Sequence, residues 1–280
     1  MIERIVSLGG HSVKVFSKSD QAVAMLSFMF DDIPAETNAA DNIEAEFTLQ
    51  PTEDAKEWAV LRDDEEIYRR PHLADAANFL MGEVVFHLIE HNQHYMAIHA
   101  ALLSDERGGI LLPGESGNGK SSLSIWMTLN GYHYHTDELV LIKQGSLKTR
   151  VFTRPFNIKH HGIKAISSLF DIDTLQPKIE QGDFITMIAH RALNPDFVTP
   201  SPNISRILFP KYDANADNTL TKISPAIAGI ELMKTNVIAR NLPGHGFEQL
   251  LSIVKSVPAY QLKYNHFDAL PALLKGLDTA

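Results

Sequence analysis

The sequence predicts an α/β protein: a nucleotide domain built on a phosphate-binding loop, preceded by a small β-rich N-terminal module. Three observations carry this. Residues 114–121 read Gly-Glu-Ser-Gly-Asn-Gly-Lys-Ser and fit the pattern G-x-x-x-x-G-K-[ST]. The apolar run Ile110, Leu111, Leu112 leads into the loop as a buried strand, and a helix-compatible stretch follows it, closed by Gly131. Strand and helix patterns then alternate to the end, while residues 1–70 read mainly as short strands.

Composition bounds the function classes. The chain has 280 residues, enough for one large domain or two modest ones. Hydrophobic residues make up 44% and charged residues 21%, which suits a folded chain with a sizeable core. The net charge of −9 argues against broad nucleic-acid or anionic-membrane binding. There are no cysteines, so disulfides, a thiol nucleophile and a thiolate metal site are excluded. No signal-peptide pattern opens the chain, and no apolar run reaches the roughly 18 residues of a membrane helix. The expectation is a cytoplasmic protein without membrane or nucleic-acid partners.

The elements follow in order. Residues 12–17 alternate, 22–30 are apolar, 43–49 alternate with Ile43, Ala45, Phe47 and Leu49 on one face, and 58–61 form a further short strand. Gly9-Gly10 and Pro34 mark turns, and the acidic run 63–66 reads as a solvated turn. Leu73, Ala76, Ala77, Leu80, Val84 and Leu88 recur at helical spacing and lead towards the nucleotide domain, assigned to residues 71–280. Residues 95–103 read as a strand, able to form a hairpin with 109–113. Strands are expected over 139–142, 149–152, 204–210 and 259–264. Helices are expected over 164–169, 184–193, 224–235, 246–257 and 266–277.

The loop carries the chemistry. Gly114, Gly117 and Gly119 let the backbone turn its N–H groups around an anion, with Glu115, Ser116 and Asn118 between them. Ser122 follows at the positive end of the helix. Lys120 would reach the outer phosphates and the Ser121 hydroxyl would ligate Mg²⁺. Asp137 lies sixteen residues after Ser121, a spacing that can return Asp137 and Glu138 to the loop. Phosphoryl transfer needs such acids, one to complete the Mg²⁺ shell and one to activate the acceptor. Neighbouring strand residues point to opposite faces, so only one can aim directly at the phosphate. His99, in an otherwise apolar strand, is on its residues alone a satisfied strand histidine. The basic stretch 154–161 is a candidate substrate-facing segment or an ordinary loop, and His190-Arg191 has no motif to anchor it.

His99-Ala100, the loop at 114–121 and the stretch Gly131-Tyr132-His133-Tyr134-His135-Thr136-Asp137-Glu138 together resemble the core of the HPr kinase/phosphorylase family, and more closely the broad HPr-kinase-related group. The arrangement is also similar to that of phosphoenolpyruvate carboxykinase, which shares the fold. The resemblance covers roughly residues 93–142. It implies an ATP- and Mg²⁺-dependent kinase acting on a hydroxyl, foremost a serine of a peptide or protein. It implies Asp137 as general base with His99 hydrogen-bonded near it, Glu138 and Ser121 on Mg²⁺, and Lys120 on the transferring phosphoryl. Self-association is implied as well. Two departures stand out: the family has Asp-Asp where this chain has Asp137-Glu138, and its later signature segment is not found here, which argues against HPr as substrate. The competing readings are a small-molecule hydroxyl kinase, and a nucleotide-binding regulatory or scaffold protein with little turnover, which would need the loop but no base.

Overall fold

The computed structural model describes residues 2–34, 36, 43–115, 117–175, 179–197 and 201–278. Two compact units emerge, each from two pieces of chain: Met1–Asn92 with Phe152–Pro195, and Gln93–Val151 with Asp196–Ala280.

The first piece contains β1 (Ile2–Leu8), β2 (His11–Ser17), α1 (Asp20–Phe30), β3 (Ile43–Pro51), β4 (Trp58–Arg62), β5 (Glu65–Arg70) and α2 (Leu73–Ile89). Its strands form one sheet in the order β1-β2-β3-β4-β5, with only the β2–β3 pair parallel. The apolar stretch 22–30, read with its β-rich surroundings, is the helix α1. Its buried residues Ala22, Met25, Leu26, Met29 and Phe30 fall at helical spacing. Helix α2 packs on this sheet and buries Ala76, Ala77, Leu80, Val84 and Leu88, the residues whose spacing predicts it.

The next piece holds β6 (Tyr95–Asp105), β7 (Gly108–Pro113), α3 (Lys120–Leu129), β8 (His133–Thr136), β9 (Leu139–Lys143) and β10 (Thr149–Val151). β6 and β7 form the expected hairpin. β11 (Phe156–Lys159), α4 (His160–Ile166), β12 (Ile179–Gln181) and β13 (Ile185–Ile188) return to the first unit, where the strands form a small sheet ordered β11-β13-β12. The helix expected over 184–193 is therefore strand β13 followed by a short 3₁₀ turn. All four residues of β13 are buried, and a short apolar run buried on both faces has no period that separates strand from helix.

The last piece adds β14 (Ile204–Tyr212), β15 (Thr219–Ile223), α5 (Pro225–Met233), α6 (Phe247–Ser256), β16 (Ala259–Tyr264) and α7 (Leu270–Leu274). Ser224 caps α5, its hydroxyl accepting from the Ile227 N–H, with Pro225 in the first turn. The helix expected over 266–277 is split, because Pro271 starts α7 afresh between two 3₁₀ turns. The second unit's eight-stranded sheet runs β10-β9-β6-β7-β14-β16-β15, with β8 also on β6. The loop strand β7 is thus central, parallel to β14, and β14 is parallel to β16.

Burial sorts the two faces of this sheet. Met96, Ile98, Ala100 and Leu102 of β6 share a core with Leu111, Ile207, Phe209, Ala228 and Leu232 of α5, and Leu250 and Ile253 of α6. Alternation therefore sends His99 to the opposite face, where α3 packs against β6. Among the described residues no helix is long and apolar enough to cross a membrane.

Candidate active site

The loop leaves the sheet at Pro113 and re-enters structure at Lys120, the first residue of α3. Gly117 and Gly119 have φ of +95° and +81°, the left-handed region that glycine adopts without a Cβ penalty. At Gly119 the requirement is doubled: a Cβ there would collide with the Tyr264 hydroxyl and lie 3.0 Å from Tyr212 Cβ. The same tyrosines brace the loop. Tyr264 Oη donates to the Gly119 carbonyl at 3.0 Å, and the Tyr212 N–H donates to the Asn118 carbonyl at 3.2 Å. Burial, then the neighbouring Tyr212, pushes the Tyr264 phenol above its ordinary pKa, which keeps it a donor.

Lys120 is buried, and its ammonium donates to the Gly114 carbonyl at 3.1 Å, folded back across the loop. Glu115 is exposed; Asn118, Ser121 and Ser122 are half-buried. Ser116 lies outside the described residues.

Asp137 and Glu138 sit between β8 and β9, and they diverge as adjacent residues at a strand end should. Asp137 is 1% exposed. Its Oδ2 accepts from Ser121 Oγ at 2.9 Å and its Oδ1 accepts from the Tyr134 hydroxyl at 3.2 Å. Glu138 Oε1 lies 3.6 Å from His99 Nδ1, an ion-pair separation with both side chains about one-third exposed, 33% for His99 and 27% for Glu138. The His99 N–H donates to the Thr235 carbonyl at 2.8 Å, fixing β6 at that point.

The expectation set His99 beside Asp137 and Glu138 with Ser121; the contacts described join Ser121 to Asp137 and bring His99 beside Glu138. The short buried Asp137 meets the first turn of α3, while Glu138, longer by a methylene, extends beside His99. Ser121 and Asp137 together offer a hydroxyl and a carboxylate oxygen, hard donors of the kind Mg²⁺ takes alongside phosphate oxygens and water. Nearby, His135 is buried and shares a 2.8 Å hydrogen bond with Ser104 Oγ. Burial, then the proximity of His133, lowers its pKa to about 4.

The basic stretch 154–161 belongs to the other unit. Arg154 there is buried, with Nη1 donating to Met81 Sδ at 3.6 Å, and the Asn157 amide bonds Asn78. His190 Nε2 lies 2.7 Å from Asp32 Oδ2, and Arg191 pairs with the same carboxylate. Burial pushes the Asp32 pKa up, but the bonds from His190 and Arg191 prevail and hold it at about 2. That pair ties a turn to a 3₁₀ segment within its unit. Tyr134, Tyr212 and Tyr264 are the site residues that sequence reasoning missed. Tyr134 lies within the stretch already singled out, and the other two close strands far along the chain.

No family model matches the chain. The chain is 30% identical over 134 residues to the HPr kinase/phosphorylase of Lachnoclostridium phytofermentans, covering 46% of this chain and 42% of the relative. It is 29% identical over 112 residues to that of Lactobacillus delbrueckii subsp. bulgaricus, covering 38% of this chain and 35% of the relative. The chain thus spans less than half the length of the curated relatives it matches. A solved HPr(Ser) kinase/phosphatase from Coxiella burnetii is similar over 65% of this chain and 93% of that one, at 14% identity and a TM-score of 0.32. Over the part it shares with its curated relatives, this chain is HPr-kinase-like in sequence.

Proposed function

We propose that this protein is an ATP- and Mg²⁺-dependent kinase that transfers the γ-phosphoryl group to a hydroxyl, with a serine of a peptide or protein as acceptor. The observation that carries the reading is the bond from Ser121, at the end of the loop, to Asp137, with the next residue, Glu138, beside His99. The similarity to HPr kinase/phosphorylases supports it. A nucleotide switch would need the loop and a metal ligand, but not Glu138 beside His99.

The geometry suggests a role for each group. The loop amides and Lys120 hold the polyphosphate, with Gly114, Gly117 and Gly119 allowing the close approach. Ser121 and Asp137 would hold Mg²⁺, which when bound would offset the charge of the phosphates. Glu138, steadied by His99, accepts the proton of the acceptor hydroxyl. The hydroxyl oxygen then bonds to the γ-phosphorus as the bond to the bridging oxygen breaks, and ADP leaves. Asp137 is the weaker candidate for base, since both its oxygens already accept hydrogen bonds and it is sealed from solvent.

Radiolabelled ATP and the products of neighbouring genes provide the test. Lys120→Ala should abolish transfer. Glu138→Gln should retain nucleotide affinity and lose about 10²–10⁴-fold in transfer rate, the usual contribution of a general base. Asp137→Asn should instead raise the Mg²⁺ concentration needed for nucleotide binding. Transfer at the native rate by Glu138→Gln would remove the base assignment, and turnover by Lys120→Ala would remove the kinase reading.

A further inference from the structure

Beside the loop, on the β14 and β16 side, lies an open cleft. Pro113, Phe209 and Pro210 give it apolar walls, and Gly114 and Asn118 are shared between the cleft and the loop. Three features restrict what it can hold.

The first is its face. Phe209 belongs to the core under α5 and α6, and Glu231, Lys234 and Thr235 at the end of α5 line the cleft. His99, with Glu138 beside it, points to the opposite face, and Asp137 meets the start of α3. A polyphosphate in the loop with its reacting end at those acids has its other end free to continue towards the cleft. The second is charge. Two lysines, Lys211 and Lys234, face two glutamates, Glu115 and Glu231, and Lys234 is tied to Glu231 at 2.8 Å. The formal charges cancel, so the cleft suits an uncharged group better than a second anion. The third is unspent hydrogen bonding. The side-chain amides of Asn118 and Gln261 both line the cleft, and neither bonds to any described residue of the protein. An amide offers a donor and an acceptor side by side, the pattern that the edge of a nucleobase presents in return.

We propose that this cleft is the subsite for the nucleoside of the phosphoryl donor, an inference that rests on the loop binding a nucleotide. The base lies between the proline and phenylalanine walls, with Gln261 and Asn118 at its polar edge. The phosphates run from there past Gly114 into the loop.

Calorimetric titration of the full chain with Mg-ATP and with Mg-tripolyphosphate tests this, because the second ligand has the phosphates and lacks the nucleoside. The native chain should bind ATP at least about tenfold more tightly, as a base buried against apolar walls implies. Gln261→Leu, close in size, should weaken ATP about fivefold, the scale of one hydrogen bond, and leave tripolyphosphate unchanged. Unchanged tripolyphosphate affinity also shows that the variant is folded. Equal affinity of the native chain for the two ligands, or no effect of Gln261→Leu and Pro210→Ala on ATP, would overturn the subsite while leaving the loop intact. If the native chain bound neither ligand, the loop reading itself would fall and the subsite with it.

Discussion

Gly119 shows how tightly single positions constrain the loop. Its left-handed backbone and the pressing Tyr264 and Tyr212 side chains leave no room for a methyl group. Gly119→Ala should lower stability by about 1–3 kcal/mol, the cost of strain at a special backbone position, and reduce nucleotide affinity more than any exposed alanine substitution. Denaturant melts and titration of the same samples measure both. Tyr264→Phe removes only the hydroxyl that donates to Gly119. It should cost about 0.5–1.5 kcal/mol and loosen phosphate binding without unfolding the chain. At this scale the sequence was informative where residues are close together. Spacing alone names Lys120, Ser121 and the acids. It cannot show Tyr264, which reaches the loop across 145 positions. Nor can it show which acid turns to which partner, because that depends on backbone direction at the β8–β9 junction.

At the scale of elements, the β4–β5 hairpin is set by two residues. Asp63 and Asp64 have φ of +50° and +68° and connect Arg62 to Glu65 across the turn. This is the two-residue turn whose twist matches paired strands. Asp64→Val should cost about 1–2 kcal/mol, since a branched side chain tolerates the left-handed region poorly, while Asp64→Gly should be no less stable than the native chain. Thermal melts of the two variants give the order directly. The acidic run reads correctly as a turn, but only its first half is one, and β5 begins at Glu65. Elements with strong helical spacing, such as α2, are legible. α1 is obscured by the strands around it, and β13 by burial on both faces. β15 is hidden for the opposite reason: as an edge strand with mostly exposed side chains it has little apolar signal.

At the scale of the whole molecule, stability should depend on pH through a residue outside the chemistry. His135 is held neutral in the fold, with a pKa near 4 against an ordinary 6.5. Below pH 6.5 the unfolded chain binds a proton that the folded chain refuses. The stabilisation is complete above that pH and is lost as pH falls towards 4, by up to about 3 kcal/mol. Denaturant titrations at pH 7 and pH 5 should show the loss, and His135→Gln should flatten it. Asp32 has a lowered pKa as well, so its contribution is lost only further down, between 3.8 and about 2. The α/β class and the β-rich start are legible in the sequence. The interleaving of the two units is not, because no local pattern marks where the chain leaves one core for another. That interleaving bears on when the site comes into being during synthesis. β7 pairs with β14, and the hydroxyl that steadies Gly119 arrives only with the last residue of β16. A nascent chain that has emerged as far as α6 already displays every residue of the phosphate-binding motif, yet lacks the brace that shapes it. If the loop binds nucleotide as proposed, affinity for it should therefore appear only once β16 has been made and folded onto the loop.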